Sequence, residues 1–120
     1  MEKELFRIVD TENTEQYVWG EGCDGWHFVN NDLLSVIKER MPGLTKETPH
    51  YHEKAQQFFY ILSGVATFEI YGNQYDVYPN RGISILPGCE HRILNNTESD
   101  LEFLVISEPR SHGDRINTMQ

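Results

Sequence analysis

The stretch "PHYHEKAQQFFYILSG", residues 49–64, decides how this chain is read. It sets His50 and His52 two apart, follows them with Gln57, and closes a hydrophobic run at Gly64. In a β-strand, residues i and i+2 face the same side. His50 and His52 therefore present two imidazoles side by side, a spacing that a metal ion can use. An exposed strand with two solvated imidazoles would account for the same letters. By the same alternation Gln57, Phe59 and Ile61 share one face and would line an interior.

Strand-like runs surround this stretch. "LLSVIKERM" (33–41) is β-branched at its centre, and "FFYIL" (58–62) and "VATFEIY" (65–71) flank a Ser63-Gly64 turn. "QYDVY" (74–78) follows Gly72-Asn73, a dipeptide that tolerates the positive φ angles of tight hairpins. "GISIL" (82–86), "HRIL" (91–94) and "LEFLVIS" (101–107) come next, separated by turn signals at 79–82, Pro87-Gly88 and Asn95-Asn96-Thr97. No window carries a helical period of useful length. Many short strands at near-regular spacing predict an antiparallel sandwich or barrel. Further upstream, "YVWGEGCDGWHFV" (17–29) reads as two strands around a glycine-rich loop. The polar tail "SEPRSHGDRINTMQ" (107–120) is expected to lie across the outside of the barrel or to end disordered.

Bulk composition narrows the function classes. With 120 residues, 38% hydrophobic and 12% aromatic, the chain is expected to form one domain, 1–120, around a single core. Ten basic against nineteen acidic side chains give a net charge of −9, which argues against nucleic acid and against an anionic membrane surface. No run approaches the length of a membrane span. The start, "MEKELFRIVD", shows no secretory leader, so the expected location is cytoplasmic. Cys23 and Cys89 match no zinc spacing and are expected to stay reduced.

After Gly64 the chain makes two hairpins and returns through "NRGISILPGCEHRILN" (80–95), whose lone His91 follows the Pro87-Gly88 turn. In an antiparallel barrel that places His91 on a strand neighbouring the first pair. Together these stretches resemble the cupin superfamily, in its small single-domain bacterial form. The first family motif is a Gly, five residues, His-x-His, three or four residues, Glu, six residues, Gly. Here Gly43, six residues, His50-Tyr51-His52, four residues, Gln57, six residues and Gly64 stand in that order. The second motif runs from a Gly through a Pro/Gly turn to a His and, three residues on, an Asn. Gly82, Pro87-Gly88, His91 and Asn95 follow it. The spacer after Gly43 is one residue longer than usual, and Gln57 replaces the motif's Glu.

The resemblance implies an all-β fold, a single small antiparallel barrel of six to eight strands with jelly-roll connections. It also implies one divalent transition metal (Mn, Fe, Ni, Cu or Zn) held by His50, His52, Gln57 and His91. A homodimer is implied too, with segment 1–19 as the contact. Gln57 admits three readings: a neutral fourth ligand, a hydrogen-bond partner of a metal-bound water, or part of a metal-free site. As a ligand it would leave the ion its full +2, a stronger Lewis acid held less tightly.

The functional expectation is a metal-binding enzyme of dioxygenase, decarboxylase or isomerase type acting on a small molecule. The alternative is a non-catalytic module that binds or senses a small molecule, with or without metal. Trp26, Phe59 and Ile61 are candidates for the substrate pocket, and no general acid or base is seen beside the ligands. Cys23 and Cys89 are read as small core residues, His27 as a surface residue, Glu53 and Glu90 as solvated. His112 is read as a turn cap or a partner contact.

Overall fold

Strands form here because short runs rich in β-branched and aromatic residues lie between turns, and their side chains point alternately to two faces of the sheet. The computed structural model describes residues 5–111 and 113–118 and, among them, contains strands and no helix. In chain order the strands are β1 (Gln16–Trp19), β2 (Cys23–Asn30), β3 (Ser35–Met41), β4 (His50–His52), β5 (Gln56–Ser63) and β6 (Ala66–Ile70). They continue with β7 (Asn73–Val77), β8 (Gly82–Ile85), β9 (His91–Leu94), β10 (Leu101–Glu108) and β11 (Arg115–Asn117).

The strands build two antiparallel sheets, one ordered β1-β2-β3-β10-β5-β8 and the other β11-β4-β9-β6-β7. After β3 the chain changes sheet at every connection except the β6–β7 hairpin, a jelly-roll pattern of crossings. The all-β expectation is met, but a closed barrel of six to eight strands is not what forms. Eleven strands among the described residues divide into two sheets, and no ladder joins one sheet to the other. Side chains hold the two sheets together, as in face-to-face packing.

That packing follows the alternation. On β10, Leu101, Phe103, Val105 and Ser107 point inward and are buried. They meet Phe59 and Ile61 of β5, Met41 of β3, and Phe68 and Ile93 from the second sheet in one core. Phe59 and Phe68, on opposite sheets, approach edge to face with ring centroids 5.0 Å apart. Each such side chain contributes about 1.5–3 kcal/mol by leaving water.

Two turns refine the sequence reading. The β6–β7 hairpin loop is Tyr71-Gly72, one residue earlier than expected, with Ile70 paired to Asn73 and φ of 50° and 83° at the two loop residues. Both positive angles are what a two-residue turn of the mirror-image type requires. Asn95, fully buried, is more than a turn residue. Its amide donates to the carbonyls of Met41 (3.0 Å) and Ser99 (2.7 Å) and its oxygen accepts from the Thr97 N–H (3.1 Å), tying the end of β9 to the end of β3.

The glycine-rich segment forms β1 and β2 as expected. The tail does not lie loosely outside: β11 adds to the edge of β4, pairing Arg115 with His52 and Asn117 with His50. Asp114 secures that docking by accepting from the backbone N–H groups of Glu53 (3.2 Å), Lys54 (3.0 Å) and Ala55 (3.0 Å). Among the described residues no helix is long and apolar enough to cross a membrane.

Candidate functional site

The short strand β4 turns His50 and His52 to the same side, and both are buried. β9 runs beside it and sets His91 directly opposite His50. Ring centroids lie 4.5 Å apart for His50–His91, 5.0 Å for His50–His52 and 6.2 Å for His52–His91. Gln57 enters from β5 on the other sheet and is also buried. His50, His52, Gln57 and Phe59 line a cavity of about 240 Å3 between the sheets.

Local hydrogen bonds orient these groups. The Nδ1–H groups of His50 and His91 donate to the carbonyls of Thr48 and Cys89, each at 2.9 Å, so both rings keep their Nε2 lone pairs free. The Gln57 amide nitrogen donates to Ser107 Oγ at 3.0 Å, from the residue directly opposite on β10. That bond leaves Gln57 Oε1 buried without a partner, as are His91 Nε2 and His52 Nδ1. Buried polar atoms in a folded protein are nearly always satisfied, so unpartnered ones require a reason. Burial lowers the pKa of His50 and of His52 to about 4 and also lowers that of His91, so all three imidazoles are neutral at pH 7. The donor set is three neutral imidazoles and one amide oxygen, a chemistry that suits a divalent transition metal. As placed, the set is open on the His52 side: among the described residues no three His, Cys, Asp or Glu side chains stand in ligating geometry.

Of the other pocket candidates, Phe59 lines the cavity, with its ring 6.2 Å from His91. Ile61 lies deeper, wholly within the core. Trp26 does not line the cavity. It pairs with Gln16 and Lys38 and alternates with the buried Cys23 and Gly25, so it takes the outer face of β2. His27 takes the inner face instead of the surface, with its ring 4.9 Å from that of Tyr17. Cys23 is buried and Cys89 half-buried, both with free thiols. Glu53 is exposed, Glu90 half-buried, and His112 lies outside the described residues.

The cavity also holds ionisable groups, contrary to the expectation that no acid or base accompanies the histidines. Tyr17, Glu39, Glu47 and Arg115 line it. The Tyr17 hydroxyl donates to Glu39 Oε2 at 2.7 Å. Burial pushes Glu39 up to about 8; the Tyr17 bond and Arg115 oppose the rise, and Glu47 adds to it. Burial likewise raises Glu47, against the pull of Arg115 3.3 Å away. Tyr17 is raised by burial and by Glu39. Glu39 was legible in "SVIKERM", where alternation puts Ser35, Ile37, Glu39 and Met41 on one face and so turns a carboxyl inward. Tyr17 and Arg115 had no such signal, because their places depend on which strands pair.

The fold has known counterparts. A sugar phosphate isomerase from Silicibacter pomeroyi, of the cupin superfamily, superposes with a TM-score of 0.78 at 17% identity over 87% of this chain and 76% of its own. A predicted oxalate decarboxylase from Thermotoga maritima gives 0.75 at 22% identity over 87% of this chain and 100% of its own. A polyketide cyclase from Streptomyces resistomycificus gives 0.82 at 16% identity over 97% of this chain and 87% of its own. At these identities the likeness concerns the fold alone. No curated protein matches the chain in sequence. The Cupin_2 family model, a cupin domain, matches residues 37–107, which contain the paired histidines, Gln57 and His91, and the chain belongs to this cupin family.

Proposed function

We propose that this cupin is a metal-binding enzyme acting on a small polar molecule, with His50, His52, His91 and Gln57 holding one divalent transition metal in a single domain spanning 1–120. The observation that carries this reading is the pair of unpartnered acceptors, His91 Nε2 and Gln57 Oε1, buried at the one place where three neutral imidazoles converge. An ion bound there would supply Lewis acidity, at its full +2 because no donor carries charge. Thr48 and Cys89 fix the tautomers of His50 and His91, and Ser107 turns the Gln57 oxygen away from itself. Phe59 and Val105 exclude water from the apolar wall of the cavity. Relatives of the same fold are described as isomerase, predicted decarboxylase and cyclase, consistent with an enzyme that rearranges small molecules.

The test is elemental analysis of the untagged protein with His50→Ala and Gln57→Glu. The reading expects near-stoichiometric metal, lost in His50→Ala and held more tightly in Gln57→Glu. Protein that carries no metal and takes up none of Mn, Fe, Ni, Cu or Zn would end it. A second reading, a metal-free binding module, draws on the 6.2 Å His52–His91 separation, which leaves the set open as it stands. The same analysis, followed by calorimetry with candidate ligands on metal-free protein, separates the two.

The homodimer belongs to the same proposal. Its contact would use the first segment up to β1, where Leu5, Phe6 and Ile8 are 89%, 79% and 83% exposed. Tyr17 and Trp19, further along, turn inward and are not available. Sedimentation velocity of wild type and Phe6→Asp should show a dimer that weakens in the variant, and a monomeric wild type would refute it. Cytoplasmic residence, favoured by the two free thiols, is checked by cell fractionation.

A further inference from the structure

Three strands bring one residue each into a line. Tyr17 on β1 stands opposite Gly25 on β2, and Gly25 stands opposite Glu39 on β3. The tyrosine side chain passes over the glycine and reaches the carboxyl two strands away, closing the 2.7 Å hydrogen bond. Only glycine permits this: a Cβ at position 25 would sit 2.3 Å from Tyr17 Cζ and 2.5 Å from its hydroxyl oxygen. Both ends of the bridge open on the cavity that His50, His52 and Gln57 line. A hydrogen bond serving packing alone has no need to be aimed there.

We propose that Glu39 is the proton-transfer group of this site, taking a proton from the carbon beside a substrate carbonyl and returning it, while Tyr17, laid across Gly25, is the positioning residue. The proposal rests on reading the cavity as an active site and names its substrate class, a small hydroxy-ketone or keto acid. In the step, the substrate C–H bond breaks and its proton goes to the Glu39 oxygen that Tyr17 does not hold. The bonding pair becomes the C=C of an enolate and the carbonyl π pair moves to oxygen. Delivery of a solvent-exchanged proton from Glu39 to the same carbon gives exchange, and delivery to the former carbonyl carbon, with the neighbouring hydroxyl proton passing to the former carbonyl oxygen, gives isomerisation. No oxidant or reductant is required.

The surroundings of Glu39 suit the task. Tyr17 faces it from β1, Cys23 and His27 flank it from β2, and Glu47 and Arg115 reach it from the opposite sheet side. β10 presents Phe103 opposite it, with Leu101 and Val105 to either side, all apolar. With burial dominant and Arg115 the one cation opposing it, the carboxyl titrates near pH 8, where acid and base forms are both populated at neutral pH.

The test uses the full chain with dihydroxyacetone and hydroxypyruvate as probes in D2O, reading deuterium incorporation by NMR and metal content in the same sample. Exchange above the buffer rate should rise with pH to about 8, and Glu39→Gln should lower it by about 100-fold with metal content unchanged and the fold intact by circular dichroism. Tyr17→Phe and Gly25→Ala should each lower exchange by about 10-fold and move the pH midpoint upward. Independently of any substrate, a protonated-carboxyl infrared component should titrate near pH 8 in metal-free wild type, persist in Glu47→Gln and be missing in Glu39→Gln. Undiminished exchange in Glu39→Gln, no exchange by metal-loaded wild type with either probe, or a band that titrates below pH 6 would each overturn the proposal. Exchange that persists in protein incapable of binding metal supports the proton-transfer pair and overturns the metal reading instead.

Discussion

Replacing Gly25 by Ala tests how the site is assembled. The added Cβ would lie 2.3–2.5 Å from three ring and hydroxyl atoms of Tyr17, well inside van der Waals contact. Tyr17 must then swing away, and its 2.7 Å hydrogen bond to Glu39 breaks. Overpacking of this kind costs about 1–3 kcal/mol, and a buried carboxyl left without its donor costs about as much. The two are one event, since the swing relieves the clash by losing the bond. Against it stands the gain from removing a glycine within a strand, about 0.5–1 kcal/mol. The net loss is about 0–2.5 kcal/mol, centred on about 1, and Tm should fall by roughly 3–6 °C. The assay is urea unfolding of Gly25→Ala in wild type and in a Tyr17→Ala background. With the ring gone the methyl has room, so the substitution should turn neutral or stabilising by about 0.5–1 kcal/mol. An equal loss in both backgrounds would refute the reasoning and place the need for glycine in the backbone.

Further outcomes follow from the same structure. Phe68→Ala removes a wholly buried ring that packs on Phe59 and should cost about 3–5 kcal/mol by urea unfolding; a loss below about 1 kcal/mol would contradict its place in the core. Glu39, held at about 8 when folded against 4.5 as a free side chain, keeps a proton that the unfolded chain releases, so stability falls as pH rises from about 4.5 to 8. Glu39→Gln lacks this titration and keeps an acceptor for Tyr17. Urea midpoints at pH 5, 7 and 9 should therefore shift in favour of the variant, by on the order of 2 kcal/mol after allowing for the cavity side that water reaches; parallel curves would show that the carboxyl is not raised. At Asp114 burial is outweighed by three backbone N–H donors, which leave its pKa lowered; its contribution is present above about 3.8 and is lost as pH falls through the lower folded value. Asp114→Ala should cost about 1–3 kcal/mol at pH 7 and speed hydrogen exchange at residues 53–55, and unchanged exchange there would argue against its role in docking β11.

Much of this was written locally. The runs around residues 35–41, 56–63 and 101–108 read as strands, and the two-residue period of a strand sets which side chains share a face. It put His50 with His52 on one face and Gln57 with Phe59 and Ile61 on another, as found. It also carried Glu39, whose inward turn could have been read from its own strand. Trp26 was misplaced because the face of a strand can be counted only from residues known to be buried, here Cys23 and Gly25.

Tertiary structure decided the rest, because pairing between distant strands is settled by burial of the whole core. Nothing local says that β10 inserts between β3 and β5, which is what puts Ser107 opposite Gln57 and orients the amide. Nor does the polar tail announce that β11 will dock on β4 and carry Arg115 to the cavity. By itself the sequence determined an all-β chain with three histidines and an amide on inward faces. Where those faces meet, how the amide turns, and that a tyrosine crosses a glycine to reach a buried carboxyl were decided by contacts between residues far apart in the chain, which strand periodicity does not encode.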